Sequence, residues 1–411
     1  MTKIEVPAWT VWVARALLGA TFIVSGWAKC VDPWGFVYKL EDYLSVWGLL
    51  GSVPREFTLI GAVALSMLEF CTGVALATGC LRRAAPAVAT VIMAGMLPLS
   101  VYIYVADPVA DCGCFGDLLV ISNLATMLKN IVLAALAVYL LLWGHRAAPG
   151  YRPGLQWLVV ALSIVYSLTL AVLGWHFQPV ADFRPFGVGK ELVAEEGADD
   201  ADTPVTFVYE KEGRRQEFAL DALPDSSWTF VSRSAGAEAD AGALTLFDDY
   251  GDDVTADVLA DVSDMIILTV PEPGLDYLLR ARFANELYRY AGARDIPVIG
   301  VVAASGDALD KWRELARPQF PVYSASDTSL KQLVRGAQGF VWVHEGRIVL
   351  KRSLASLNPD MLDDPDPLRQ INNVSDGRVC IWLSSAFLAG LLLLWLTSQV
   401  YSKTIGRGIK D

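Results

Sequence analysis

Six apolar runs, each long enough to cross a bilayer, constrain this 411-residue chain more than anything else in it. A hydrocarbon core about 30 Å thick is spanned by about 20 helical residues. Five such runs fill the first half, at residues 11–28, 57–78, 84–106, 121–143 and 155–175, and a sixth covers 379–401. A soluble protein would have to hide six nearly uncharged helices from water. The expected fold is therefore a membrane α-helical bundle of about six transmembrane helices. An apolar share of 54% agrees. The first run ends in Trp27-Ala28-Lys29-Cys30, with no small-x-small cleavage site, so it reads as a retained helix. Lys29 before Cys30 also argues against lipid attachment at that cysteine.

Charge gives orientation and a second domain. Arg82 and Arg83 follow helix 2, Arg146 and Arg152 follow helix 4, and Lys403, Arg407 and Lys410 follow helix 6. Under the positive-inside rule these segments and both termini are cytoplasmic. The loops after helices 1 and 3, and the whole segment between helices 5 and 6, are then expected outside. Trp27, Trp34, Trp47, Trp143 and Trp175 stand near the ends of spans, where indole rings favour the interface. Residues 177–378 hold 20 Lys/Arg against 35 Asp/Glu, and the rest of the chain 13 against 10. So acidic a domain argues against a nucleic-acid partner and against docking on anionic lipid, and simple solubility is the plain reading of it.

Within that domain, residues 191–203 form a polar linker. Residues 205–209 and 217–220 read as a hairpin over Lys211-Glu212-Gly213. Continuous apolar runs at 265–270 and 297–303 read as buried strands. Helices are expected at 275–293, 308–316 and 327–334, the last with Asp327 as N-cap. A short strand at 320–323 and a hairpin, 339–343 with 347–351, complete a mixed sheet with helices packed on it. Asp327, Lys331 and Arg335 fall at four-residue spacing, as a local ion-pair ladder or a partner-facing patch. This order, over 262–352, resembles the thioredoxin fold. Where that fold's enzymes carry C-x-x-C this chain has Pro271-Glu272-Pro273-Gly274, and Gln338-Gly339 stands at the cis-proline position. Residues 177–378 contain no cysteine, so a thioredoxin-like domain here has no thiolate and is expected to bind or support. His145, His176 and His344 are far apart in sequence and read as solvated or interfacial.

Chemistry is expected in the membrane half. Asp111-Cys112-Gly113-Cys114-Phe115-Gly116-Asp117 places two thiols one residue apart on the outer side. A disulfide between them closes a very small ring, which Gly113 and Gly116 could permit with strain. Strained, exposed disulfides exchange readily. A redox dithiol, a structural disulfide and a soft-metal site for copper or zinc all remain open, although two sulfurs supply only half of a tetrahedral shell. Cys30, at the outer end of helix 1, could resolve a mixed disulfide with either thiol, or be an unpaired helix-end cysteine. Cys71 and Cys80 read as packing residues. Glu69 lies inside helix 2, where a carboxylate must be paired or protonated. It reads either as a proton carrier or quinone hydrogen-bond partner, or as half of a structural pair, with Lys129 as the partner.

Gly26, the stretch Lys29-Cys30-Val31-Asp32-Pro33-Trp34-Gly35-Phe36, Lys39 and Tyr43 resemble the first-helix signature of DoxX-family membrane proteins. Glu69 and Gly73 resemble their second-helix Glu-x-x-x-Gly, and the C-G-C stretch resembles the MauE branch of that superfamily. MauE-type proteins are implicated in maturing a disulfide-rich periplasmic dehydrogenase, and DoxX relatives in quinone-dependent sulfur or thiol oxidation. The resemblance implies a four-helix unit at 1–150, a fifth helix at 151–176, a linker and small β region at 177–260, a degenerate thioredoxin-like domain at 261–358 and a final helix at 379–402. That arrangement also resembles a family of fused membrane proteins in which a proline-glycine follows the segment matching Asp327, Lys331 and Arg335; Gln338 replaces the proline here. The expectation is a bacterial inner-membrane protein with its soluble domain in the periplasm. Cys112, Cys114 and Cys30 would carry thiol-disulfide exchange with a periplasmic client protein, and Glu69 would serve a quinone or a proton. The competing expectation is a non-enzymatic scaffold whose C-G-C pins a loop or holds a metal.

Overall fold

The computed structural model describes residues 6–109, 111–192, 206–211, 214–219, 224, 228–234, 244–259, 263–363 and 377–407. The chain divides into two units, one of Met1–Gly174 with Arg378–Asp411 and one of Trp175–Gly377.

Among the described residues of the first unit are α1 (Ala8–Val31), α2 (Pro33–Val46), α3 (Arg55–Thr78), α4 (Ala84–Ala106), α5 (Asn123–Trp143) and α6 (Pro153–His176). The helix at the C-terminal end, α11, spans Arg378–Arg407. Six of these, all but α2, are long and apolar enough to cross a membrane, and they coincide with the six apolar runs. α2 lies where a loop was expected. Pro33 at its first turn supplies a helical φ, and the Asp32 side chain accepts from Gly35 N at 2.9 Å. α3 stops at Gly79, in the left-handed conformation at φ 69°.

The tightest helix pair is α1 with α3, and small residues make it so. A Cβ on Gly26 would collide with the backbone of Phe70, and one on Gly73 with the backbone at Ile23. Without side chains at these positions the backbones approach closely. Lys29 lies one turn beyond Gly26, and Glu69 is next to Phe70, so this approach brings the two charges into contact. α11 joins the bundle through Tyr166, whose ring stacks on Phe387 at 4.4 Å and whose hydroxyl shares a hydrogen bond with Ser384 at 2.7 Å. Arg15 of α1 is buried, and its guanidinium donates to Gly144 O at 2.7 Å, at the carbonyl end of α5.

The second unit contains a three-stranded antiparallel sheet, ordered β2-β1-β3, from β1 (Thr206–Lys211), β2 (Arg214–Ala219) and β3 (Thr229–Ser234). The expected hairpin is β1 with β2. β3 was not expected. A five-stranded mixed sheet follows, built from β4 (Asp264–Val270), β5 (Val298–Val302), β6 (Val322–Ser324), β7 (Gly339–His344) and β8 (Arg347–Ser353). Its order is β6-β5-β4-β7-β8, with β4, β5 and β6 parallel and β7 and β8 antiparallel. The unit's α-helices among the described residues are α7 (Thr255–Leu259), α8 (Leu275–Gly292), α9 (Gly306–Ala316) and α10 (Asp327–Leu333).

The core of this sheet draws in Phe186, Leu192, Leu244 and Leu246, so a boundary at 261 would cut through it. Residues 189–192 bond along β8 through Gly189 N to Ile348 O at 2.7 Å and Leu192 N to Gly346 O at 2.9 Å. Phe247 and Ser324 exchange both backbone bonds at 2.9 Å along β6. The linker expected from 191 therefore starts no earlier than 193, and residues 193–203 lie outside the described ones. The N-cap of α10 is Ser326, which accepts from Ser329 N, and Asp327 is the first helical residue. Asp327 instead pairs with Lys331 at 2.9 Å, and Arg335, past the end of α10, donates to Lys331 O at 2.8 Å. The local ladder is real as far as Lys331.

Candidate functional site

The C-G-C loop lies between α4 and α5 and folds back onto α1 and α2. Asp111 organises it: one carboxylate oxygen accepts from Gly113 N at 2.7 Å and the other from Lys39 Nζ of α2 at 2.8 Å. Tyr43 of α2 donates its hydroxyl to Cys112 O at 3.1 Å, and Ser25 of α1 donates to Cys114 O at 2.5 Å. Gly113 sits at φ 65°, and a Cβ there would come within 2.8 Å of Lys39 Cγ, so glycine is required between the thiols. This turn brings Cys112 Sγ and Cys114 Sγ to 2.9 Å.

Both cysteines are buried, in a cluster with Tyr43, Ile103 and Phe115. The pair is thus shielded, where an exposed one was expected. The thiols differ in charge. The hydrogen bond from Cys112, then the nearby ammonium groups of Lys129 and Lys29, hold Cys114 down at about 6 despite its burial. The same contact, and burial, push Cys112 well above an ordinary thiol. In the reduced pair Cys114 is the thiolate and Cys112 its hydrogen-bond donor. Alkylation of Cys114 is accordingly expected to rise with pH around a midpoint near 6, and Cys112→Ala to move that midpoint upward. Rates of iodoacetamide labelling read at each residue by peptide mass check this; equal labelling of both thiols with a midpoint near 9 would refute it.

A second charged pair lies beside the thiols. Lys29 Nζ meets Glu69 Oε2 at 2.7 Å and Ser25 Oγ at 3.1 Å, with 4% and 12% of the Lys29 and Glu69 side chains exposed. The partner of Glu69 is therefore Lys29, where Lys129 was expected. Lys29 is closer because Gly26 lets α1 approach α3. Lys129 lies over the Phe115 ring at 4.4 Å. Glu69, Cys114, Ser25, Lys129 and Asn130 nevertheless line one small cavity. Asn130, which sequence reasoning passed over, carried one signal: an amide in the middle of an apolar span.

Cys30 is buried on the face of α1 that carries Gly26, four residues before it, rather than on the face of Ser25 and Lys29. The structure therefore brings Lys29, Glu69, Cys112 and Cys114 together and places Cys30 against α3.

The metal reading meets a geometric obstacle. Two sulfurs on one tetrahedral zinc at 2.3 Å stand about 3.8 Å apart, against 2.9 Å here. Among the described residues no group of three or more His, Cys, Asp or Glu side chains could hold an ion. Two sulfurs alone fall short of a tetrahedral zinc shell.

A family model described as methylamine utilisation protein MauE matches residues 7–144, the stretch that contains every residue of this site. A second model, described as a domain of unknown function (DUF8463), matches residues 204–235 and so spans β1 to β3. No curated protein and no solved structure matches the chain.

Proposed function

We propose that this MauE-like multi-pass membrane protein is a thiol-disulfide redox component of a bacterial cell envelope, with the Cys112–Cys114 pair as its working group. The observation that carries the reading is the pair itself: two thiols 2.9 Å apart, with Lys129 and Lys29 near enough to favour the charged form of Cys114. A structural disulfide gains nothing from a charge difference between its sulfurs, whereas exchange chemistry depends on it.

As an oxidant, the disulfide is attacked by a client thiolate and Cys114 leaves as the stabilised thiolate. The client's second thiol then displaces Cys112, which takes up a proton. Two electrons pass from client to pair and the client disulfide forms. Reoxidation remakes the Sγ–Sγ bond, releases the Cys112 proton and gives two electrons to an acceptor, for which a membrane quinone is the chemical class we favour. Cys30 is on the face of α1 that carries Gly26 and packs on α3, so the direct route runs through Cys112 and Cys114. The mixed sheet supports a thioredoxin-like reading of its domain, in that two parallel βα units are followed by an antiparallel hairpin. Without cysteine between 177 and 378, that domain serves client binding, and the positive-inside pattern argues for a periplasmic position.

The test is the redox state of the pair in native membranes, read by alkylation mass shift. We expect a mixture that becomes reduced with a dithiol and reoxidises when a quinone analogue is supplied. A pair that stays fully oxidised, or is reduced and indifferent to quinone, would make this protein an envelope scaffold.

A further inference from the structure

We infer that the small cavity between α1, α3, α4 and α5 is a water site that passes a proton between Cys114 and Glu69, and that Asn130 is the residue positioning that water. The inference rests on the redox reading of the C-G-C pair and adds to it the route of the proton.

Three observations carry it. Cys114 and Glu69 both line the cavity, with Lys129 and Asn130 on its α5 side. Asn130 is 2% exposed, and its Nδ2 has no hydrogen-bond partner within the protein. A buried donor left in that state costs about 1–3 kcal/mol, so a polar partner belongs there. The cavity, ≈ 20 Å³, admits a water. That water accepts from Asn130 Nδ2 and donates toward the Glu69 carboxylate or the Cys114 thiolate.

The proton balance requires such a route. Forming the disulfide from a thiol and a thiolate releases one proton, that of Cys112, inside a buried cluster. Cys112 shares it with Cys114 across 2.9 Å, and of the two sulfurs Cys114 lines the cavity. The proton crosses the water to Glu69, and Lys29 keeps its hydrogen bond to Ser25 Oγ while Glu69 is neutral. In the reductive direction Glu69 returns the proton, and the sulfurs end as thiol and thiolate. Asn130 touches neither sulfur and acts through the water it holds.

The experiment uses the full-length protein in vesicles of neutral phospholipid. The pair is oxidised, then reduced with dithiothreitol, and thiol appearance is followed by alkylation mass shift in H2O and D2O. The wild-type rate is expected to fall in D2O. Asn130→Leu, which fills the cavity and leaves the Lys29–Glu69 pair untouched, should lower the rate at least about tenfold and abolish the D2O effect. Asn130→Ala, which removes the amide and keeps the space, should lower the rate while leaving the alkylation midpoint of Cys114 unchanged; a collapsed site would move both. Wild-type rates and isotope effects in both variants overturn the inference and leave the redox reading standing. A wild-type pair that dithiothreitol cannot reduce overturns both.

Discussion

Lys29→Met is expected to destabilise the membrane unit by about 3–5 kcal/mol, because it leaves the Glu69 carboxylate buried without its counter-charge. The pair is 2.7 Å long, with the Lys29 and Glu69 side chains only 4% and 12% exposed, so solvation makes up little of the missing ammonium. Glu69→Leu should cost a similar amount by stranding Lys29. Lys29→Met with Glu69→Leu removes both charges, and should recover most of the loss. Thermal unfolding of the detergent-solubilised protein, followed by helical circular dichroism, reads all three. Equal, additive losses in the double variant would mean that the two residues do not act as a pair.

Asp182→Asn should have an effect of the same size in the second unit. Asp182 and Arg184 are joined by two side-chain bonds, at 2.7 and 2.8 Å, with both side chains 2% exposed. Lys351, fully buried, donates to Asp182, to Phe186 O at 2.6 Å and to Leu333 O at 3.0 Å. One carboxylate thus holds two buried cations, and its loss leaves both uncompensated, at about 3–5 kcal/mol. The pH dependence has a definite sign. Although burial opposes it, Arg184 and then Lys351 hold the Asp182 carboxyl below the usual carboxylate range. Its stabilisation is complete well above the ordinary value of 3.8 and is lost as pH falls through and below it. Burial pulls Lys351 down to about 7, against 10.5 in the unfolded chain. Over that interval the unfolded chain binds the extra proton, so stability rises with pH. Without Asp182 the lysine falls further, and the variant should gain more than wild type between neutral and alkaline pH. Limited proteolysis of the full-length protein across this range, scored on fragments from residues 177–363, checks both statements. A variant as resistant as wild type at pH 7 would show that the three groups are not coupled.

The parts of this molecule legible in its sequence are those that depend on one solvent at a time. Twenty apolar residues read as a span, and each of the six runs is a helix long and apolar enough to be one, starting within three residues of its expected N-terminal end. The strands at β4 and β5 were readable because continuous burial leaves an unbroken apolar run, IILTV and VIGVV. α2 escaped notice because its apolar residues interleave with Lys39, Glu41 and Asp42 over 14 residues, too short and too polar for a span. Ser326 and Asp327 are both good caps, and the sequence does not say which oxygen reaches Ser329 N. In the site, Cys112 and Cys114 announced themselves by their spacing between Asp and Gly, and Glu69 as a costly charge in an apolar span. Their partners did not, because which lysine reaches Glu69 is decided by glycines at 26 and 73, through the distance between two backbones. Phe186 and Leu192 could not be assigned to the sheet core from sequence either, since they lie some 70 residues before the first strand they touch.

The five-stranded sheet has one further consequence. Its outer strands each bond to the domain's own irregular chain, β8 to residues 189–192 and β6 to Phe247. Where those segments lie, the edge amides and carbonyls are already engaged and an extended peptide cannot join. At those stretches a ligand is read through side chains rather than by β-augmentation. Selectivity would then rest on shape and charge at the sheet's helices and loops, and a short linear motif would be a poor mimic of the binding partner.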